Sequence, residues 1–342
     1  MGDKYPKFKV AAVQASAILL DREATVSKAC SLIEEAGKAG AKVIVFPEYY
    51  IPGPPVWYKF FSNGMGVNPD IAGFNRELFK NAVEIPSKAT DALAEAAKAV
   101  QAVVVMGVHE KDPDTYGTLY NSIIFFGPNG EILGKRRKII PTAEERLIHK
   151  GGDGSGLRVY KTPYGVVGGL MCGENTNSLA RYSLLAQGET IHAALWTEFA
   201  LTREQGIIEG INIRVKYYAY EGKIYVISST NVFSNEMKDI LGLTSEQRAL
   251  FGGDGGNSGI VAPNGRYIAG PLNEGEGILY ADVDYDAIID GKFLHDIIGH
   301  YNRFDIFNLT VNRKENKSIN FLDEEEQEED LKQKNSDEKV QE

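Results

Sequence analysis

The chain has 342 residues, of which 43% are hydrophobic and 25% are charged, a composition typical of a globular protein with a large buried core. The formal net charge is −10 at pH 7, and seven of the excess negative charges lie in residues 323–342, so the body of the chain is nearly neutral. The body has no basic stripe, and no apolar run approaches the ~20 residues of a membrane span, so we expect neither nucleic acid nor a membrane as a partner.

Predicted strands and helices alternate along the first third of the chain. The first strand is FKVAAVQAS, and an amphipathic helix follows that has Asp21 as its N-cap and ends at Gly40. The apolar segment KVIVF is typical of a buried strand. A second helix begins after its N-cap residue Ser87 and leads into the strand VVVMGV.

The later parts of the chain add hairpins to this alternation. NSIIFFGPNGEILGK and GIVAPNGRYIAG each predict two antiparallel strands joined across Pro-Asn-Gly. After MCGEN we predict a helix near 178–188, the strand HAALW, a long helix near 203–221 and the strand IYVISS. Parallel βα units mixed with hairpins predict a layered α/β fold with mixed sheets. Segments 52–72 and 232–256, rich in Gly, Pro and Asn, are interpreted as surface insertions.

One domain and an acidic tail account for the whole chain. We find neither a linker nor a repeat of fixed period, so we assign residues 1–312 to the domain and residues 313–342 to the tail. From Asp323 onward the tail has ten acidic and three basic residues. Its few apolar side chains cannot offset the entropy that is lost on ordering, so we predict that this segment is disordered.

Motifs for metals, nucleotides and serine hydrolysis are missing from the sequence. There is no HExxH or CxxC, and His295 and His300, five residues apart, do not share a helical face, so we expect no metal site. GGDGSG and GGDGGNSG do not fit the dinucleotide-binding pattern GxGxxG. No GxSxG elbow is present, so a serine hydrolase is also disfavoured.

The two cysteines, Cys30 and Cys172, differ in position. So few cysteines, after an amino terminus without a signal peptide, argue against a disulfide scaffold and favour a reducing cytoplasm. Cys30 lies among Ala29, Leu32 and Ile33 on a helix and is interpreted as a small core residue. Cys172 follows a strand, where α/β proteins form sites and where a following helix favours a thiolate. It is the candidate nucleophile, with another core cysteine as the alternative.

Two charged segments also follow predicted strands and can activate this thiol. Glu48 comes directly after VIVFP, and a buried carboxylate at a strand end requires a partner or a chemical role. In KRRKIIPTAEER, strand alternation places Arg136 and Lys138 on one face and Arg137 on the other. A solvated edge strand is the alternative for this basic run. Cys, Glu and Lys from three strand ends would supply a nucleophile, a general base and a cation.

These segments resemble the nitrilase superfamily of carbon–nitrogen hydrolases, and within it the true nitrilases. VIVFPE resembles the block with the catalytic glutamate, KRRKIIPTAEER the lysine block and GGLMCGEN the cysteine block, in the same order. HAALW, TREQGIIEGINIRVKYYAYEGK and GHYNRFDIFNL extend the resemblance to about residue 312. The fold of this family is a four-layer α-β-β-α sandwich, and we expect it for this carbon–nitrogen hydrolase domain.

The resemblance implies a role for each matching residue. Glu48 would be the general base and Cys172 the nucleophile. Lys138 would stabilise charge on the intermediate, and Glu145 would be a second glutamate that orients the site. The implied reaction converts an organic nitrile to the carboxylic acid and ammonia through a thioimidate and a thioester on the cysteine, without a metal or organic cofactor. Neighbouring residues are expected to contact the substrate, and these are Gly173, Glu174, Asn175 and Trp196.

Gly173 departs from the family pattern, in which most nitrilases have tryptophan after the cysteine and cyanide-degrading relatives have alanine. An amidase or N-carbamoyl hydrolase with the same catalytic residues, a cyanide-degrading enzyme and a non-catalytic assembly protein therefore remain alternatives. PTAEER and GHYNRFD favour the nitrile. The resemblance also implies a homo-oligomer, with dimers formed through the helices near 178–188 and 203–221. Segments 52–72 and 232–256 would extend these dimers into spirals or filaments.

Overall fold

Two six-stranded sheets form the centre of the fold. The structure is a computed structural model that describes residues 2–5, 7–61 and 68–319, except the side chains of residues 203 and 205. The strands are β1 (Phe8–Gln14), β2 (Ala41–Val45), β3 (Val103–Lys111), β4 (Leu119–Phe126), β5 (Ile132–Arg137), β6 (Tyr160–Thr162), β7 (Gly165–Met171), β8 (Ile191–Trp196), β9 (Tyr225–Thr230), β10 (Ser258–Val261), β11 (Tyr267–Leu272) and β12 (Gly277–Val283).

Both sheets mix parallel and antiparallel pairs, as predicted. The first sheet has the order β12-β1-β2-β3-β4-β5, in which β1, β2 and β3 are parallel. The second has the order β11-β10-β9-β8-β7-β6, in which β7, β8 and β9 are parallel. The two predicted hairpins are confirmed as the antiparallel pairs β4–β5 and β10–β11.

Helices cover the outer face of each sheet and complete the four layers. They are α1 (Arg22–Lys38), α2 (Pro69–Asn81), α3 (Lys88–Val100), α4 (Ser178–Leu185), α5 (Gln205–Gly222), α6 (Asn235–Ile240), α7 (Ser245–Arg248) and α8 (Asp286–Leu294). Side chains of α1 and α3 pack on the first sheet, and side chains of α4 and α5 pack on the second. A further apolar layer fills the space between the sheets, so the predicted α-β-β-α sandwich is confirmed.

Strand β1 shows how the sequence produces these layers. Val10 and Ala12 belong to the apolar layer between the sheets, whereas Ala11 and Val13 belong to the layer under α1 and α3, and each is fully buried. Alternate side chains of a strand point to opposite faces, so a strand that is covered on both faces must be apolar throughout.

The predicted helix boundaries hold, although one cap works differently. Asp21 Oδ1 accepts a hydrogen bond from the Ala24 N–H at 2.9 Å, and Gly40 has a φ of +90° just after α1. Helix α3 begins after Ser87 as predicted. There the Thr90 hydroxyl accepts from the Ser87 N–H at 2.8 Å, so the threonine side chain makes the capping bond.

The interpretation of segments 52–72 and 232–256 as surface insertions is wrong for a large part of both. Trp57 and Met237, one from each segment, are fully buried in one apolar cluster to which both segments contribute. Helix α2 supplies Ile71 and Leu78, and Leu241 and Leu243 follow α6 in the same cluster. Residues 62–67 lie outside the described residues. The high content of Gly, Pro and Asn concealed apolar side chains that pack against each other across the sequence.

The first residues of the acidic tail lie against the domain. The Asn316 N–H donates to Asp153 Oδ2 at 2.7 Å, and Lys150 Nζ donates to Ser318 Oγ at 2.9 Å. The domain contacts therefore continue beyond residue 312. We predicted disorder for the tail as a whole, residues 313–342; residues 313–319 are described and include these contacts, and residues 320–342 lie outside the described residues. Among the helices that the structure describes, none combines the length and apolar character needed to cross a membrane.

Candidate active site

Strand ends and one helical turn bring charged side chains together. Glu48 lies three residues after β2, while Lys138 and Cys172 directly follow β5 and β7. Glu145 belongs to the helical turn Ala143–Leu147. Lys138 Nζ lies 2.9 Å from Glu48 Oε1 and 2.7 Å from Glu145 Oε2. The structure thus brings together the lysine and both glutamates that the sequence singles out.

Asn121 joins this cluster, although the sequence did not indicate it. Its Nδ2 donates to Glu48 Oε1 at 2.7 Å and to Glu145 Oε1 at 3.2 Å, and its backbone carbonyl accepts from the backbone N–H of Lys138 at 2.8 Å. Asn121 lies inside β4, where a buried asparagine in a largely apolar strand was the available signal. Its amide fixes the orientation of both carboxylates relative to the lysine.

Burial controls the protonation of this cluster. Glu48 is fully buried and Lys138 is 1% exposed. Burial raises the pKa of Glu48, while the adjacent Lys138 ammonium acts in the opposite direction. Burial and the charge of Glu48 raise the pKa of Glu145 to about 9. Two carboxyl groups share one ammonium, so the charge on Glu48 opposes ionisation of Glu145.

Cys172 joins the cluster with a thiol that is protonated at rest. Burial and the charge of Glu48 raise the pKa of the Cys172 thiol to about 12, against the opposing effects of Lys138 and of a hydrogen bond from the Gly173 N–H. The residue has a φ of +45° at the point where β7 turns into the helical turn Cys172–Thr176. A base is required to ionise such a thiol. Glu48 Oε2 is buried and has no hydrogen-bond partner in the described part of the chain.

Gly173 is exposed and leaves open space beside Cys172. A Cβ atom added at Gly173 would meet only Thr142 Oγ1 within 4 Å in the described structure, at 3.6 Å. Gly173 does not have a positive φ, so its backbone conformation does not require glycine. The absence of a side chain therefore affects the volume of the site.

The basic run on β5 alternates as predicted. Arg136 and Lys138 are buried, and Arg137 is partly exposed and pairs with Glu110 at 2.6 Å. Arg136 makes two hydrogen bonds with the carboxylate of Glu174, at 2.8 and 2.7 Å. The alternative of a solvated edge strand is therefore wrong for the buried members of this run.

Three side chains that we expected to contact the substrate also bind other protein groups. Glu174 pairs with Arg136, Asn175 donates to backbone carbonyls on either side of Met171, and Trp196 Nε1–H donates to Ser228 Oγ at 3.0 Å. The three side chains are at least nine-tenths buried. Through these contacts the three side chains support the structure around the site. Direct contact between them and the substrate stays a prediction.

A stack of aromatic rings lies beside the charged cluster. The ring of Tyr49 lies 4.7 Å from that of His109 and 5.5 Å from that of His149, and His109 Nδ1 lies 2.8 Å from His149 Nε2. Burial lowers the pKa of His109 to about 3, and burial, His109 and Lys138 lower that of His149. Both histidines are therefore neutral. No group of three or more His, Cys, Asp or Glu side chains arranged for a metal occurs among the residues described.

Comparison with known proteins identifies the family. Residues 9–292 match the family described as carbon–nitrogen hydrolase, and the chain belongs to this family of hydrolases acting on carbon–nitrogen bonds. It is 39% identical over 327 residues to a nitrilase of Bacillus sp. (strain OxB-1), covering 95% of this chain and 94% of the relative. It is 35% identical over 319 residues to an aliphatic nitrilase of Rhodococcus rhodochrous, covering 92% and 85%. The resemblance to the nitrilase superfamily is confirmed.

A solved structure supports the fold independently. The crystal structure of Saccharomyces cerevisiae Nit3, a member of branch 10 of the nitrilase superfamily, matches with a TM-score of 0.67 at 22% identity. The match covers 86% of this chain and 97% of Nit3. At this identity the likeness concerns the fold, and it agrees with the four-layer sandwich.

Proposed function

We propose that this enzyme is a nitrilase that converts an organic nitrile to the carboxylic acid and ammonia. In this proposal Cys172 is the nucleophile, Glu48 the general base, Lys138 the stabilising cation and Glu145 the residue that orients the lysine. The observation that carries the proposal is the buried Glu48–Lys138–Glu145 cluster next to a protonated thiol. The curated relatives named nitrilases, at 35% and 39% identity over most of the chain, support the choice of substrate.

The first half of the reaction forms a covalent thioimidate. Glu48 accepts the proton of the Cys172 thiol, and the sulfur attacks the nitrile carbon. The Glu48 oxygen that has no partner among the described residues supports this role. The nitrile nitrogen then takes the proton from Glu48, which leaves a C=NH group bound to sulfur. The Lys138 ammonium and the Gly173 N–H stabilise negative charge on the attacked group.

The second half releases ammonia and then the acid. Glu48 takes a proton from water as the water adds to the thioimidate carbon, which gives a tetrahedral intermediate. Glu48 passes this proton to the nitrogen, so the intermediate holds a hydroxyl and an amino group. The hydroxyl proton then moves through Glu48 to the amino group as the C=O bond forms and the C–N bond breaks, so the nitrogen leaves as ammonia and a thioester remains. A second water hydrolyses the thioester to the carboxylic acid and restores the thiol. The reaction thus consumes two waters for each nitrile.

Ammonia release from matched substrates tests the proposal. Aliphatic and aromatic nitriles, the amides derived from them and cyanide are supplied separately to the wild type and to Cys172→Ala. We expect ammonia from at least one organic nitrile with the wild type and none with the variant. Ammonia from the amides alone would contradict the proposal in favour of an amidase, and ammonia from cyanide alone in favour of a cyanide-degrading enzyme. Inactivity on every substrate would favour an assembly protein.

We also propose that the chain forms homo-oligomers that begin as dimers. The outer face of α5 supports this proposal, since Ile213, Tyr217 and Tyr220 are 60%, 51% and 53% exposed. A second copy of the same helix can pack against apolar side chains that repeat along one helix face, and this removes them from water. Extension into spirals would use exposed parts of segments 52–72 and 232–256. Light scattering and electron microscopy of the full chain would reveal dimers and spirals.

We further propose that the protein works in the reducing cytoplasm. Both of its cysteines are free thiols, and neither is fully exposed. The thiol of the proposed nucleophile must stay reduced for the reaction to proceed. Fractionation of the source cells followed by detection of the chain with an antibody would test the location.

A further inference from the structure

A line of buried hydrogen bonds leads from α5 to the turn that carries the nucleophile. The Tyr218 hydroxyl donates to Glu189 Oε2 at 2.6 Å, and Glu189 Oε1 lies 2.8 Å from His192 Nδ1. His192 Nε2 lies 2.9 Å from Asn175 Oδ1. Each of the four side chains is at most 3% exposed. We call this line, Tyr218–Glu189–His192–Asn175, the relay.

The last member of the relay holds the backbone of the nucleophile. Asn175 Nδ2 donates to the carbonyls of Leu170 and Cys172, both at 3.2 Å. Cys172 has a φ of +45°, a left-handed conformation that is unfavourable for a residue other than glycine. Such a conformation persists only where surrounding contacts hold it. The two hydrogen bonds from Asn175 are contacts of this kind.

The donors and acceptors determine where the protons of the relay lie. Because Asn175 Nδ2 faces two carbonyls, its Oδ1 faces His192, and His192 Nε2 must carry a hydrogen. Glu189 presents a carboxyl oxygen to His192 Nδ1, so a second proton lies between these two atoms. The imidazole cannot rotate without leaving buried polar groups unpaired, and the Asn175 amide is thereby fixed.

The sequence leaves room for the relay at Gly168 in β7. A Cβ atom at this position would overlap Glu189 Oε1, so a larger residue would push the carboxyl group away from His192. The His192 ring also packs edge to face against the Tyr218 ring, with 4.6 Å between the ring centroids, and this contact restricts the imidazole further. The relay is therefore held by steric fit as well as by hydrogen bonds.

We propose that Asn175, His192 and Glu189 are positioning residues that hold the Cys172 turn in the geometry from which the thiol attacks. This inference rests on the proposed role of Cys172 as nucleophile. The residues act through the carbonyl of Cys172, because their side chains bind one another and the backbone. A displacement of about 1 Å in a reacting group costs on the order of 10²-fold in rate, so losing the relay lowers kcat about 10- to 100-fold with a smaller change in KM.

Two variants of the full chain separate positioning from general stability. Asn175→Leu keeps the approximate shape but removes both donors to the carbonyls. Glu189→Gln is the conservative variant that keeps the relay, since its amide can donate to His192 Nδ1, leave the hydrogen on Nε2 and accept from Tyr218. Iodoacetamide is the probe, and mass spectrometry follows alkylation of Cys172 with Cys30 as the internal reference. The same preparations give thermal unfolding temperatures, and kcat and KM for a nitrile.

The expected result is that Asn175→Leu slows alkylation of Cys172 and lowers kcat by similar factors of about 10- to 100-fold, with Cys30 unchanged. Glu189→Gln is expected to keep both rates within about threefold of the wild type. Normal alkylation of Cys172 in folded Asn175→Leu would overturn the inference, as would an equal slowing of Cys172 and Cys30.

Tyr218→Phe is a milder variant of the relay, and alkylation of Cys172 can be measured without a substrate. If Asn175→Leu does not fold, Tyr218→Phe removes one hydroxyl from the far end of the relay. We then expect alkylation of Cys172 to slow about two- to fivefold with Cys30 unchanged, because one buried hydrogen bond contributes about 1 kcal/mol. An unchanged rate would overturn the inference. Since alkylation needs no substrate, a wild type that fails on nitriles but shows these alkylation rates would refute the proposed function and leave the relay supported.

Discussion

Lys138→Met is expected to remove most of the activity. Lys138 is 1% exposed and lies between the carboxyl groups of Glu48 and Glu145. Methionine fills a similar volume without a charge, so the transition state loses about 3–4 kcal/mol of stabilisation, which corresponds to about 10²- to 10³-fold in kcat. Burial already raises the pKa of Glu48, and without the ammonium this carboxyl keeps its proton. Loss of the base adds to the effect, so the total is expected to exceed ~10³-fold.

Lys135→Met, in the strand β5 that precedes Lys138, is the matched control for this variant. Lys135 is 34% exposed, and its partner Glu110 retains Arg137 at 2.6 Å after the change. We expect kcat within about twofold of the wild type, because partly exposed ion pairs contribute little. The assay is ammonia release at several nitrile concentrations, with circular dichroism to verify the fold. A folded Lys138→Met enzyme with a raised KM and an unchanged kcat would show that Lys138 only binds substrate.

Further changes test other parts of the account. Cys172→Ala should abolish turnover and Cys30→Ala should leave it nearly intact, and an equal loss in two folded variants would refute the choice of nucleophile. Burial raises the pKa of Glu145 from 4.5 to about 9, so the folded chain holds a proton that the unfolded chain releases, and stability falls as pH rises through this range. The melting temperature of Glu145→Gln should therefore fall less with rising pH than that of the wild type. Melting temperatures that fall in parallel in the two proteins would contradict the prediction. Gly173→Trp should restrict turnover to smaller nitriles and lower the fraction of amide product, while Gly173→Ala should change little, and equal damage from both would indicate a backbone requirement. A chain ending at residue 319 should stay active and assemble at least as well as the full chain, since the removed acidic residues repel each other, and inactive monomers in light scattering would refute this.

The residues at strand ends could be predicted from the sequence. Glu48 and Cys172 each follow an apolar strand, and polar groups at that point have few structural reasons to be there. The alternation that places Lys138 and Arg136 on one face follows from strand geometry, and both side chains are buried. These patterns do not predict the order of the strands in each sheet. The four-layer sandwich was predicted from the resemblance to a known family.

Partners that are distant in the sequence could not be predicted. Asn121 reaches Glu48 across 73 residues because β3 lies between β2 and β4 in the sheet and pairs with both, and no local pattern encodes that register. Glu174 was expected to contact the substrate, yet its carboxylate pairs with Arg136, which lies 38 residues earlier. A sequence motif indicates that a charged residue in it has a role. Which residue it pairs with depends on the packing of the whole chain.

The mass of the Cys172 peptide during turnover tests the central claim most directly. The enzyme is mixed with a nitrile that it hydrolyses, quenched in acid at successive times, digested and examined by mass spectrometry. The account predicts an adduct with the mass of the substrate's acyl or imidoyl group on the peptide that contains Cys172, and none on the peptide that contains Cys30. Steady turnover with Cys172 unmodified at every quench time, together with an active Cys172→Ala variant, would contradict it.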